Sequence, residues 1–177
     1  MPRLFTAIEL PAAVTADLSA LRGGLPGARW IDPDNYHLTL RFIGDVDGPT
    51  ANEVMHMLRR VERPSFDVRL AGLDQFGGRK PRSVFAAATG DPLIELQAEH
   101  ERLLQRIGLE PESRKYTPHV TLARLKDSST REVADYLASR GAYRSAPFRV
   151  PRFVLYSSRE SVGGGPYVVE AAYSLAA

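Results

Sequence analysis

The 177-residue chain has no cysteine, four histidines and one tryptophan. Without cysteine there can be no disulfide, thiolate nucleophile, zinc ribbon or iron–sulfur cluster. No apolar run approaches the length that spans a bilayer, and the opening Met1-Pro-Arg-Leu-Phe lacks the charged and apolar regions of a signal peptide. A cytoplasmic protein without a membrane partner is expected. Charge is not one-sided either: 23 basic against 21 acidic residues leave a net +2. That tolerates a polyanionic ligand but is far from the charge density of a nucleic-acid-coating protein.

With 44% hydrophobic residues, the chain can bury a real core. Its hydrophobic pattern repeats once. Leu4–Leu10 reads as a strand, Pro11 opens a helix with Val14, Leu18 and Leu21 at helical spacing, and Gly23-Gly24 ends it. A short strand at Ala28–Ile31 precedes a longer one from His37 to Gly44. Asp47 then caps a helix carrying Val54, Leu58 and Val61, and Phe66–Leu70 returns as a strand. The same order recurs as strand Ser83–Thr89, a helix from Asp91 with Leu93, Leu96, Leu103 and Ile107 inward, strand His119–Leu125, a helix after Ser129 closed by Gly141, and strand Phe148–Val150. Phe5 to Phe85 is 80 residues, Pro11 to Pro92 is 81, and both His37 to His119 and Phe66 to Phe148 are 82. This drift is small enough to read as a duplication.

The expected architecture is therefore one α+β domain over residues 1–177, built of two pseudo-symmetric lobes of antiparallel sheet plus helices around a central cleft. The lobes cover about 1–76 and 83–160, and 166–175 adds a strand outside the repeat. Gly77–Arg82 is the crossing between lobes. Gly163-Gly-Gly-Pro166 lacks the Lys-Ser/Thr of a phosphate-binding loop and reads as a turn before the last strand.

The repeat carries a motif twice: His37-Leu-Thr-Leu and His119-Val-Thr-Leu. Strand alternation puts His37 with Thr39, and His119 with Thr121, on one face, while Leu38, Leu40, Val120 and Leu122 point into the core. A single histidine beside a threonine is more often structural than catalytic. Two matching tetrads at equivalent positions arise by chance roughly once in ten thousand such chains. Imidazole can remove or deliver a proton near neutral pH, which phosphodiester cleavage needs at the attacking and leaving oxygens. Threonine hydroxyls can hold the non-bridging oxygens. Symmetry alone does not say which histidine is acid and which is base.

The remaining histidines serve as a contrast. His56 lies off the apolar face of its helix and is expected exposed; His100, between Leu96 and Leu103, is expected in or near the core. Arg41 continues the His37–Thr39 alternation, so it is a candidate phosphate clamp. Arg124 needs a bend in the strand to reach the cleft. Lys80, Arg82 and Tyr116 are candidate RNA contacts. No metal-ligand spacing accompanies the motifs, and neither a metal nor any other cofactor is expected.

On these motifs the chain resembles the two-histidine (2H) phosphoesterase superfamily, and within it the RNA 2′,3′-cyclic phosphodiesterases, also called 2′-5′ RNA ligases. The resemblance rests on Arg3-Leu-Phe-Thr-Ala-Ile-Glu-Leu-Pro11, on Arg29-Trp-Ile and Asn35-Tyr-His-Leu-Thr-Leu-Arg-Phe-Ile-Gly44, on Lys80-Pro-Arg82, and on Thr117-Pro-His-Val-Thr-Leu-Ala-Arg124. It implies metal-independent hydrolysis of RNA 2′,3′-cyclic phosphate ends to 2′-phosphomonoesters, with weak reversible 2′-5′ ligation. It makes His37 the proton donor and His119 the proton acceptor, gives the phosphate to Thr39, Thr121 and Arg124, and allows a nucleotide in the cleft of a monomer. The alternatives are a 2H enzyme acting on a small cyclic nucleotide phosphate or 2′-5′ oligoadenylate, and a noncatalytic RNA-end binder.

Overall fold

The computed structural model describes residues 3–158 and 166–177. The expected Gly163–Pro166 turn falls outside them except for Pro166. Strands β1 (Arg3–Glu9), β2 (Ala28–Trp30), β3 (His37–Asp45), β4 (Phe66–Phe76), β5 (Ser83–Thr89), β6 (His119–Leu125), β7 (Phe148–Val150), β8 (Arg152–Ser158) and β9 (Val168–Ser174) form one antiparallel sheet. Its order is β7-β4-β5-β6-β3-β1-β8-β9, with β2 laid beside β6. Helices α1 (Ala12–Ser19), α2 (Gly48–Leu58), α3 (Asp91–Arg106) and α4 (Thr130–Arg140) complete an α+β fold. Among the described residues no helix is long and apolar enough to cross a membrane.

The helix starts follow from their residues. The Asp47 carboxylate accepts from the Thr50 amide, and Ser129 and Glu132 form a reciprocal capping box that satisfies amides the helix itself leaves unpaired. Leu93, Leu96 and Leu104 of α3 are fully buried, and the helix packs on β3 and β4. His100, in the same row, has no exposed surface: its Nδ1 donates to the Leu96 carbonyl and its ring packs edge-on to Phe153. His56 is exposed, as its off-face position requires. Strand β8 was not legible as a separate element. Pro151 cannot donate to a ladder and divides the returning chain, so β7 pairs with β4 while β8 crosses to β1 at the other side of the sheet.

Two bulges decide which side chains face which way. Along β3, Thr6 pairs with Arg41 and Ala7 with Thr39, leaving Leu40 as an extra residue. Along β6, Val84 pairs with Ala123 and Phe85 with Thr121, leaving Leu122 extra. An extra residue inverts the alternation beyond it. This corrects the expectation for Arg41. It turns to the core side, is 6% exposed, and forms an ion pair with Glu101 of α3 while donating to the Phe42 and Glu110 carbonyls. Arg41 ties β3 to α3 and cannot clamp a ligand in the cleft.

Removing one partner of a buried ion pair strands the other charge, whereas replacing both with apolar groups of similar volume does not. Arg41→Ala is therefore expected to lower stability by about 3 kcal/mol. Arg41→Met combined with Glu101→Leu should recover most of that loss; urea unfolding of the three proteins checks both statements.

Candidate active site

The two motif strands meet at one residue pair, Leu38 with Val120. Both side chains are fully buried, so the pair is a hydrophobic pin through the centre of the sheet. Antiparallel register about that pin sets His37 across from Thr121 and Thr39 across from His119. All four are half-buried on the face opposite the helix-packed core. Neither threonine hydroxyl has a protein hydrogen-bond partner among the described residues.

Each imidazole is held in the same way. His37 Nδ1 lies 2.9 Å from the Asn35 carbonyl oxygen, and His119 Nδ1 lies 2.6 Å from that of Thr117. A carbonyl only accepts, so in each neutral ring Nδ1 carries the proton and Nε2 keeps a free lone pair. Asn35 ends a 3-10 turn over Pro33–Asn35 that Asp32 caps, and Pro118 restricts the backbone before His119. Aromatic rings close around both. Phe5 and Tyr167 have their centroids 5.0 and 5.1 Å from that of His37; Phe76 and Phe85 lie 4.9 and 5.3 Å from that of His119. Phe5 and Phe85 occupy equivalent places in the repeat.

Burial is the main reason that both imidazoles disfavour a proton. It brings His37 down to about 4, with smaller contributions from the charges of His119 and Arg124 and an opposing one from the Asn35 carbonyl. It lowers His119 in the same direction, offset by the Thr117 carbonyl. Arg124 reaches this environment because of the bulge at Leu122. It pairs with Ser83, which shares a face with Phe85 and hence with His119. At the equivalent place in the first repeat stands Phe42, paired with Phe5 on the same face and half exposed. Sequence alternation alone did not single out Phe42. The legible signal was that Arg124, five residues after its histidine, is too polar to point inward, so both strands needed the same inversion.

The other candidates sit at the margins. Lys80 and Arg82 are exposed on the turn joining β4 to β5, held by the Lys80 amide on the Gly77 carbonyl and the Arg82 amide on that of Phe76. Tyr116 is half-buried, and its hydroxyl donates to the Thr39 carbonyl over 2.7 Å. That hydroxyl braces β3 and is not free to bind RNA, a second correction to the sequence expectation. Among the described residues no group of three or more histidine, aspartate or glutamate side chains is placed to hold a metal ion.

The model of the LigT-like phosphoesterase family matches this chain over residues 8–86 and again over 84–167. The chain belongs to that family. An RNA 2′,3′-cyclic phosphodiesterase of Aeropyrum pernix is 38% identical over 106 residues, a match spanning 58% of this chain and 60% of the relative. One from Thermotoga maritima is 31% identical across 94% of this chain and 92% of its own length. Among solved members, Escherichia coli LigT complexed with 3′-AMP superposes with a TM-score of 0.79 at 27% identity over 99% of both chains. The double match of the family model falls on the two halves that carry the two motifs.

A bound anion favours the imidazolium form, opposing the desolvation that depresses it. His37 is therefore expected to stay neutral until the pH falls to about 4 in the free protein, and to titrate higher when inorganic phosphate is added. Histidine proton–nitrogen NMR with and without phosphate measures this. An unshifted His37 titration in saturating phosphate would contradict a phosphate site between the motifs.

Proposed function

We propose that this phosphoesterase hydrolyses 2′,3′-cyclic phosphates at RNA ends to 2′-phosphomonoesters without a metal, using His37 as acid and His119 as base. The observation that carries the reading is two free Nε2 atoms, each beside an unpartnered threonine hydroxyl, on strands pinned at Leu38 and Val120. Relatives named for this activity support the substrate class. The direction of proton flow follows the superfamily resemblance.

On this reading Nε2 of His119 takes a proton from water as the water oxygen bonds to phosphorus. The bond from phosphorus to the 3′ oxygen breaks, and that oxygen takes the proton from Nε2 of His37. The products are a 3′ hydroxyl and a 2′ phosphate. His37 must be charged to act as acid, and the anionic diester supplies the field that charges it on binding. Thr39, Thr121 and Arg124 hold the non-bridging oxygens as charge builds. Phe42 offers a flat apolar surface to the terminal base, and Lys80 and Arg82 extend the positive potential past the Arg124 end of β6. With a 5′ hydroxyl in place of water, the same ring opening breaks the bond to the 3′ oxygen and leaves a 2′-5′ phosphodiester, which accounts for weak 2′-5′ ligation. One chain carries both motifs, so a monomer suffices, and the cytoplasm is the setting in which it meets its RNA.

The test is a short RNA ending in a 2′,3′-cyclic phosphate, incubated with the protein in EDTA. The expected product is a 2′-phosphate end, and His37→Ala and His119→Ala should each lower kcat by roughly 10²–10⁴. Loss of activity in EDTA, a 3′-phosphate product, or turnover surviving both substitutions would overturn the reading.

A further inference from the structure

Strand β2 has no counterpart strand in the second half of the repeat, and its register bears on the cleft. Ala28 pairs with Leu125, Arg29 with Arg124 and Trp30 with Ala123. Directly opposed residues of an antiparallel pair point to the same face with Cβ atoms about 5 Å apart. Arg124 is on the His119 face by its pairing with Ser83, so Arg29 is on that face too. Both side chains are exposed, and neither forms an ion pair with any described residue. Asp74, the acid that pairs with Phe85, is separated from Arg124 by the whole of β5.

Like charges directly opposite destabilise a sheet. Here the backbone on both sides of the pair keeps Arg29 and Arg124 opposite each other. Gly27, at φ +79°, lets the chain turn against the end of β6: a Cβ there would lie 2.4 Å from the Lys126 carbonyl oxygen. The Lys126 amide bonds to the Gly27 carbonyl and the Ile31 amide to that of Leu122, clamping β2 on both sides of Arg29. The row Arg29, Arg124 and Ser83 is two residues along β5 from the row of Thr121 and Phe85, roughly 7 Å. That separation is comparable with the spacing of successive phosphates along an extended RNA strand.

We infer that Arg29 extends the phosphate site of Arg124 into a second anion site in the cleft: Arg124 is shared between the reacting phosphate and the phosphodiester on the 5′ side of the terminal nucleoside, and Arg29 takes that diester. The inference rests on the proposed reaction for its substrate class. It makes the enzyme one for oligonucleotide ends: a nucleoside 2′,3′-cyclic phosphate has no such diester and leaves the site unfilled. Paired guanidiniums suit a diester because each offers two parallel donors to its two free oxygens. Arg29 is a specificity residue, remote from the atoms that react.

The experiment compares wild type, Arg29→Gln and Arg29→Lys on the dinucleotide ApA ending in a 2′,3′-cyclic phosphate and on adenosine 2′,3′-cyclic phosphate. Arg29→Gln should lose roughly tenfold in kcat/KM on the dinucleotide, through KM, and nothing on the mononucleoside. Its salt dependence on the dinucleotide should flatten by about one counterion, Arg29→Lys should restore much of the loss, and thermal stability should not fall. An equal loss on both substrates, or none on either, would overturn the second site. Affinities for ApA ending in a 2′-phosphate and for adenosine 2′-phosphate separate the two readings. If wild type turns over neither substrate, the reaction is wrong. The site then stands if Arg29→Gln weakens only the dinucleotide product, and falls if it weakens both equally or neither.

Discussion

Everything in the cleft depends on one backbone pairing, Leu38 with Val120. Strands β3 and β6 share no other residue pair, so their registry is fixed at a point and the strands are free to diverge from it. A one-residue slip would exchange the core and cleft faces of a strand and carry a histidine and a threonine inward. The side chains at the pin prevent this because both are buried leucine or valine with no polar alternative. Tyr116, reaching from the segment before β6 to the Thr39 carbonyl, adds a second tie between the two halves beside the pin. The reactive groups themselves contribute little to holding the fold together.

The two bulges are the next constraint. Strict alternation can put a histidine and a threonine on one face, but it then assigns the fifth residue after the histidine to the core. Inverting the parity after Leu40 and Leu122 turns Phe42 and Arg124 outward into the cleft and sends Arg41 inward to Glu101. The repeat thus has equal backbones and unequal chemistry at this place, an aromatic ring on one side and a guanidinium on the other. A symmetric pair of imidazoles consequently faces an asymmetric ligand environment, as a substrate with a base at one end and a phosphate at the other requires.

Much of this was legible in the sequence, for physical reasons. The period of two in His37-Leu-Thr-Leu and His119-Val-Thr-Leu fixed the shared face, and the near-constant offset of 82 residues implied that the two motifs occupy equivalent places. The helices were recoverable from their caps and apolar spacing, and His100 from its place between Leu96 and Leu103. What failed was anything that depends on parity beyond a bulge or on a partner far along the chain. Arg41 looked like a phosphate clamp because Glu101 is sixty residues away in sequence. Tyr116 looked like an RNA contact because nothing local reveals that its hydroxyl meets the Thr39 carbonyl. Strand β8 was missed because Pro151 sends it to a neighbour, β1, that lies at the start of the chain.

On the proposed mechanism the two motifs act together on one phosphorus atom held between them. A crystal structure of the protein with a uridine–vanadate complex, in which vanadium bridges the 2′ and 3′ oxygens in a trigonal bipyramid, tests it most directly. In-line attack between the two imidazoles puts Nε2 of His37 at the apical 3′ oxygen, Nε2 of His119 at the opposite apical oxygen, and the Thr39 and Thr121 hydroxyls on the equatorial oxygens. Vanadate bound away from the Leu38–Val120 pin, or touching one histidine while the other turns aside, would contradict it.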